Sequence, residues 1–259
     1  MQLNPEPIEL FFDRDRQKEA VIRFDLSDRA ILSFHASLLD LIPRTGAIDV
    51  CDVGGGANPE LTPAEIAENE LRYTVLDISA AELDKADPAY TTLVADASGP
   101  APPVEEAFDL VFSRMLAEHI SDGAAFHRNV FRMLRPGGVA FHFFPTLYAF
   151  PFVLNKFVPD DLASRILSAF DRKRDFSGRQ VKFPAHYSWC KGPTPDQIRR
   201  LESLGFEVLD YIGFFGHNGY YRRFPPLLRL HQSISDFLLR KAVASQTSFA
   251  YVLLRRPAV

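Results

Sequence analysis

Val50-Cys51-Asp52-Val53-Gly54-Gly55-Gly56-Ala57-Asn58-Pro59 is the stretch that decides how this chain is read. The apolar run from Ala47 to Val53 enters three glycines, the pattern of a buried strand delivering the backbone into a tight turn. Glycine lets such a turn take positive φ and lets a ligand approach without meeting a Cβ. A helix opening after the turn would present unpaired N–H groups, which suit an anionic ligand group. The stretch therefore predicts a nucleotide-like cofactor at the end of the first central strand.

The spacing narrows the choice of cofactor. If Gly54 and Gly56 are the first two glycines of a dinucleotide fingerprint, the third position falls on Pro59, where close helix packing beside a pyrophosphate would be needed. No Gly-Lys-Ser/Thr follows the turn, so it is not a phosphate-binding P-loop. What stands is Asp52-x-Gly54-x-Gly56-x-Asn58. Further strands follow in order. Tyr73 to Ser79 places Asp77 at a strand's carboxyl end, 21 residues after Gly56, where a carboxylate can accept both hydroxyls of a ribose. Leu93-Val94-Ala95-Asp96-Ala97 again ends on an acid. Phe108-Asp109-Leu110-Val111-Phe112-Ser113-Arg114 and Met133-Leu134-Arg135-Pro136-Gly137-Gly138-Val139-Ala140-Phe141 supply two more strands.

Taken together, these five motifs over residues 47–146 resemble the class I S-adenosylmethionine-dependent methyltransferases, of the type 11-like kind. The resemblance implies a Rossmann-like, doubly wound, mostly parallel seven-stranded sheet with an antiparallel last strand. It implies S-adenosylmethionine as cofactor, held by Asp52, Gly54, Gly55, Gly56, Asn58, Asp77, Ile78, Asp96, Ala97 and Ser113. In that family the acid at Asp96 contacts the adenine amino group. The family's metal-binding variant has an acid three residues before Glu118, and here that residue is Met115, so no metal is expected.

Composition bounds the rest. The chain has 259 residues, 47% of them hydrophobic, enough for a sizeable core, and a net charge of −4. That balance argues against general nucleic-acid binding, which favours basic domains. Cys51 and Cys190 are too few for a disulfide framework or a metal cluster. The first residues lack the basic and apolar regions of a signal peptide, and no run of about 18 apolar residues could span a bilayer. A cytoplasmic protein is the expectation. Residues 8–42 read as helical, with Ser27-Asp28 capping Arg29 to Ile42. The domain plan is thus a helical extension over 1–46 and a methyltransferase domain over 47–259. Two inserts, near 147–192 and 215–245, depart from the minimal fold, and the second holds an amphipathic helix over 226–242. Ser79 with Glu82, and Thr194 with Gln197, read as capping boxes, and Asp122 as a cap.

A methyl donor that carries its own activated group leaves the protein mainly to align the acceptor and, for a hydroxyl, to remove a proton. Candidate bases are His186, His217 and His119; His142, inside a strand between Phe141 and Phe143, reads as a core residue. Arg114, Tyr148, Tyr187, Trp189 and Tyr220 are candidates to bind the acceptor. The apolar stretch 147–157 suits lid packing, an apolar acceptor pocket or transient membrane-surface contact. The function expected is methyl transfer to a small-molecule or glycan-like acceptor, at oxygen. The alternatives are a catalytically inactive binding or scaffold protein on the same fold and, disfavoured by Pro59, a dinucleotide oxidoreductase.

Overall fold

Asp49–Val53, the strand that enters the glycines, is buried along almost its whole length. A strand needs that only when layers cover both of its faces, as in a parallel α/β sheet. The computed structural model describes residues 5–12, 21–146, 184–221 and 225–258 of the chain. Its elements run β1 (Val21–Leu26), α1 (Ser27–Thr45), β2 (Asp49–Val53), α2 (Pro63–Glu68), β3 (Arg72–Asp77), α3 (Ala80–Leu83) and β4 (Thr91–Val94). There follow β5 (Phe108–Arg114), a 3-10 turn at Ala117–His119, α4 (Gly123–Met133) and β6 (Leu134–Pro145). After the segment 147–183 come α5 (Pro195–Glu202), β7 (Glu207–Phe215), α6 (Asn218–Tyr221), α7 (Pro225–Lys241) and β8 (Phe249–Arg255). Expectations for Tyr148 and the 147–157 stretch lie outside the described residues.

The sheet has eight strands in the order β4-β3-β2-β5-β6-β8-β7-β1. β8 pairs antiparallel with β6 and β7, and every other pair is parallel. The seven expected strands are present, and β1 is the eighth. It corrects the helical reading of residues 8–42. Val21 to Leu26 pairs in parallel with Asp210 to Phe215. The Arg23 guanidinium binds the buried Asp210 carboxylate and also donates to the Glu9 carbonyl (2.8 Å). Ser27 and Asp28 lie inside α1, whose N-cap is Leu26, with no side-chain cap. At its other end Gly46, at φ 65°, receives the chain in the left-handed conformation that closes a helix.

Two cores flank the sheet. On one face α1 buries Phe34, which stacks on Phe141 (5.0 Å between centroids) and Phe143 (5.5 Å) and meets Tyr251 edge-on (5.7 Å). Tyr251 answers by donating its hydroxyl to the Ala30 carbonyl. On the other face Phe126, Val130 and Met133 of α4 and Leu201 of α5 are buried against Cys51, Val111 and Ala140. Asp122 and Thr194 cap α4 and α5 as expected, accepting from the N–H groups of Ala125 (2.9 Å) and Gln197 (3.3 Å). The two expected boxes are only half made. The Gln197 amide turns to the Trp189 carbonyl (2.7 Å), and the Glu82 carboxylate to Lys85. The complete box is at Thr62 and Glu65 instead. Among the described residues no helix is long and apolar enough to cross a membrane.

Because Phe34 is fully buried among four aromatic rings, truncating it leaves a cavity that those rings cannot all collapse into. Phe34→Ala is expected to cost about 3–5 kcal/mol of stability, read as a fall in the urea midpoint without a change in slope.

Candidate functional site

The parallel strands β2, β3, β4 and β5 all end on the same side of the sheet, and the site is assembled from the residues just beyond those ends. At β2 the chain turns through Gly54 (φ 82°) and Gly56 (φ 46°), both left-handed. The Gly54 N–H donates to the Leu76 carbonyl (2.7 Å) and the Asn58 N–H to that of Gly55 (3.0 Å), so the turn is tied to β3 and to itself. A Cβ on Gly55 would lie 2.8 Å from Asp52 Oδ2 and 2.9 Å from Val75 Cγ1. The turn therefore closes down onto the Asp52 carboxylate in a way only glycine permits.

Asp52 itself is buried. Its Oδ2 accepts from the Tyr73 hydroxyl (2.7 Å) and from the Glu60 N–H (2.9 Å). Burial pushes its pKa up to about 6, against the pull of those two bonds. Its side chain faces inward and braces the loop. Ser113 is fully buried, with its hydroxyl 2.8 Å from His142 Nδ1 on the neighbouring strand.

Asp77 and Asp96 stand differently. Asp77 Oδ1 accepts from the Ser79 N–H (2.8 Å), which fixes the carboxylate. Its Oδ2 would lie 3.2 Å from a Cβ built on Gly56, so the turn passes close to the acid and a side chain at that position would crowd it. Ile78, next to it, is 64% exposed, an apolar surface at the strand end. Asp96 is exposed and is oriented by the Ser98 N–H and hydroxyl, both at 2.8 Å. Ala97 is buried, and its carbonyl accepts from the Asn129 amide (3.1 Å). A carboxylate facing a glycine backbone, an exposed aliphatic side chain and a second carboxylate one strand over fit a ribose, a purine face and an exocyclic amino group. The donor set thus suits an adenosine-bearing cofactor.

Around this cradle lie the acceptor-side candidates. Arg114 ends β5 and donates from Nη1 to both Glu60 oxygens (2.8 and 3.1 Å). Met115 follows at φ 54° and is 40% exposed. His119 Nδ1 is 3.1 Å from the Pro184 carbonyl, which can only accept, so that nitrogen carries the proton. His186 is exposed on the segment that returns beside it. That segment is anchored by the N–H groups of His186 (2.7 Å) and Tyr187 (3.0 Å), which both donate to the Glu118 carbonyl. His217 lies apart, beyond β7. Its N–H donates to His231 Nε2 (2.7 Å) and its ring packs on Phe249. The three candidate bases therefore divide into a His119–His186 group and a separate His217.

Tyr187 and Trp189, expected to bind the acceptor, are half-buried and pack against the core face that carries α4. Trp189 lies 6.0 Å from the His127 ring, with the Arg200 guanidinium over it. Tyr220 belongs to α6, where only its backbone is described. Four residues that matter here were not singled out in the sequence: Tyr73, Glu60, His35 and Glu65. Thr62-x-x-Glu65 is a readable box signature, but the ties from His35 and Tyr73 depend on tertiary neighbours.

Residues 51–142 match a family model described as a methyltransferase domain. No curated protein matches the chain. Among solved structures, the chain is similar to an S-adenosylmethionine dependent methyltransferase from Mesorhizobium loti, with 20% identity, 85% of this chain and 96% of that one covered, and a TM-score of 0.50. It is also similar to the cyclase SpnF, with 18% identity, 98% and 89% covered, and a TM-score of 0.52. Likeness at this level concerns the fold, and a cyclase among the neighbours shows that the fold alone does not fix the reaction. The family match and the strand order agree: residues 51–142 form a methyltransferase domain of the class I S-adenosylmethionine-dependent type, with S-adenosylmethionine as cofactor.

Proposed function

We propose that this protein transfers the methyl group of S-adenosylmethionine to an oxygen of a small-molecule or glycan-like acceptor. The observation that carries the reading is the glycine turn passing beside the Asp77 carboxylate, where a Cβ on Gly56 would crowd the acid, with exposed Ile78 next to it. In this reading Asp77 takes the ribose hydroxyls, Ile78 covers the purine, Asp96 takes its amino group, and the backbone of Gly54 to Asn58 lines the remainder. Bound S-adenosylmethionine supplies a methyl group already activated on a sulfonium, which departs as neutral S-adenosylhomocysteine (SAH). The protein's own part is to align the acceptor, exclude water and take a proton.

For the proton we favour His119 over His186 and His217. A backbone carbonyl holds the proton on His119 Nδ1, which leaves the lone pair on Nε2, the arrangement by which a neighbour fixes the tautomer of a basic histidine. The ring begins just beyond β5, next to Arg114 and Met115 and on the cradle's side of the sheet. His186 lies on the same rim and is second choice. Arg114 remains a candidate to meet the acceptor, from the position where Glu60 holds it.

SAH at about 100 times its dissociation constant should add roughly 2.7 kcal/mol to the stability of the wild type. Asp77→Ala should abolish the corresponding rise in melting temperature. Gly56→Ala should weaken it, because its Cβ would crowd the Asp77 carboxylate at a left-handed φ. Radiolabel from methyl-labelled S-adenosylmethionine should pass to a hydroxyl-bearing acceptor in a screen of sugars, phenols, acids and amines. His119→Ala should then lower kcat by about 10²-fold or more with SAH affinity unchanged. A screen with no transfer at all, with SAH still bound, would favour the scaffold alternative.

A further inference from the structure

The cofactor turn is held from one side by Asp52, and from the other by a cluster that the proposed chemistry does not use. His35 lies on α1, the helix that docks on the sheet through Phe34. Its Nδ1 is 3.3 Å from Glu60 Oε1, and its Nε2 is 2.8 Å from Glu65 Oε1. Carboxylate oxygens accept, so a ring that meets one at each nitrogen donates from both and carries a positive charge. Glu60 is the residue whose N–H closes the loop onto Asp52, and Arg114 binds the same carboxylate from the end of β5. Glu65 accepts in turn from the Thr62 N–H and hydroxyl, both at 2.8 Å, at the start of α2. One imidazolium therefore joins α1 to the two ends of the segment that runs from the glycine turn into α2.

We infer that His35 is a positioning residue for the cofactor turn, coupling α1 to the loop that binds S-adenosylmethionine through its paired contacts with Glu60 and Glu65. The inference rests on the cofactor reading of that turn. His35 touches none of the reacting atoms, and its effect passes through Glu60 and α2. The groups that face it are Glu60 and Glu65, with Arg114 and Asp52 behind Glu60. Its bond to Glu60, with help from Glu65 and against the effect of burial, raises its pKa from 6.5 to about 9. The sign follows from that direction. The clamp is at full strength below about pH 6.5, weakens as pH rises above that, and is lost as pH passes through about 9.

The test is calorimetric titration with SAH between pH 6 and pH 10, on the wild type, His35→Gln and His35→Lys, together with hydrogen exchange of the ligand-free proteins. At pH 7 His35→Gln should bind SAH about three- to ten-fold more weakly, the scale of a partly exposed charged contact. That gap should close by pH 10, where the wild-type ring has lost its proton. His35→Lys keeps a cation near both carboxylates, and should stay within about two-fold of the wild type at pH 7 and bind more tightly than it at pH 9.5. The amides from Glu60 to Ile66 should exchange faster in His35→Gln. Equal SAH affinity and equal exchange in the wild type and His35→Gln at pH 7 would overturn the inference and leave the cofactor reading standing. So would a gap that persists unchanged at pH 10. Failure of the folded wild type to bind SAH would bring down the cofactor reading itself, and this inference with it. If His35→Gln does not fold, His35→Lys decides: a wild-type-like fall in affinity above pH 8 in that variant would overturn the inference.

Discussion

A carboxylate buried without a cation is costly unless donors meet it, and the cofactor turn is built around one such carboxylate. Asp52 is met by the Tyr73 hydroxyl from the neighbouring strand and by the Glu60 N–H from beyond the turn. Those two donors fix where Tyr73 must point and where the chain must come back. Between them Gly55 has to pass over the acid with no Cβ, and Gly54 has to reach the Leu76 carbonyl at positive φ. Once the loop is closed at Glu60, the Glu60 side chain is aimed at Arg114 and His35. The side chain of the acid that opens the motif is thus engaged within the loop itself. It sets the shape of the backbone that a ligand would meet.

A parallel sheet then turns this local arrangement into a site. β3 runs beside β2 and β4 beside β3, all in one direction, so Asp77 and Asp96 end at the same edge as the glycine turn. β5, on the other side of β2, brings Arg114 and Met115 there. None of these residues contacts its counterparts by sequence proximity. They meet because β2 and β5 are buried on both faces and cannot slip their register without exposing apolar side chains, and the edge strand β4 takes its register from β3. The aromatic cluster around Phe34 on one face and the α4 packing on the other are what hold that register.

Much of this was legible in the sequence, and the failures have particular causes. The strand-glycine-acid order of 50–59, 73–79 and 93–97 reports local chemistry, namely apolar runs, positive-φ turns and terminal carboxylates, and it placed the cradle. Val21 to Leu26 was missed although Ile22, Phe24 and Leu26 alternate with Arg23 and Asp25. Its partner is β7, nearly 190 residues away, and no glycine or proline separates it from α1. Asp52 and Ser113 are expected at the cofactor from their type and position, whereas which way a strand residue faces is set by the layers around it, and both side chains are buried. Tyr187 and Trp189 are read as candidates to bind the acceptor. They are drawn inward because Gly123 lets the 188–189 backbone approach α4 so closely that a Cβ there would lie 2.5 Å from the Ser188 carbonyl. Glu65 carried a readable capping signal, yet its tie to His35 depends on α1 lying beside α2.

The histidines show why burial has to be weighed before chemistry. His127 and His142 lie in the core, 5.5 Å apart between ring centroids, and burial lowers both, His127 to about 4. They stay neutral and, being walled in by Phe126 and Trp189, have no path to an acceptor. Glu118 is pushed up to about 8 by burial, so at neutral pH it is largely an uncharged acid beside His119 rather than a carboxylate that would bind an imidazolium. What sets His119 apart is the segment 184–190. Tyr187 and Trp189 hold positive φ without being glycine, a strain that persists only where surrounding contacts over-determine the backbone. Here the two N–H bonds to the Glu118 carbonyl and the packing on Gly123 supply those contacts. With the segment pinned, the Pro184 carbonyl is pinned too, and so is the proton on His119 Nδ1. The strain in the rim thus serves to fix which nitrogen of His119 holds its proton.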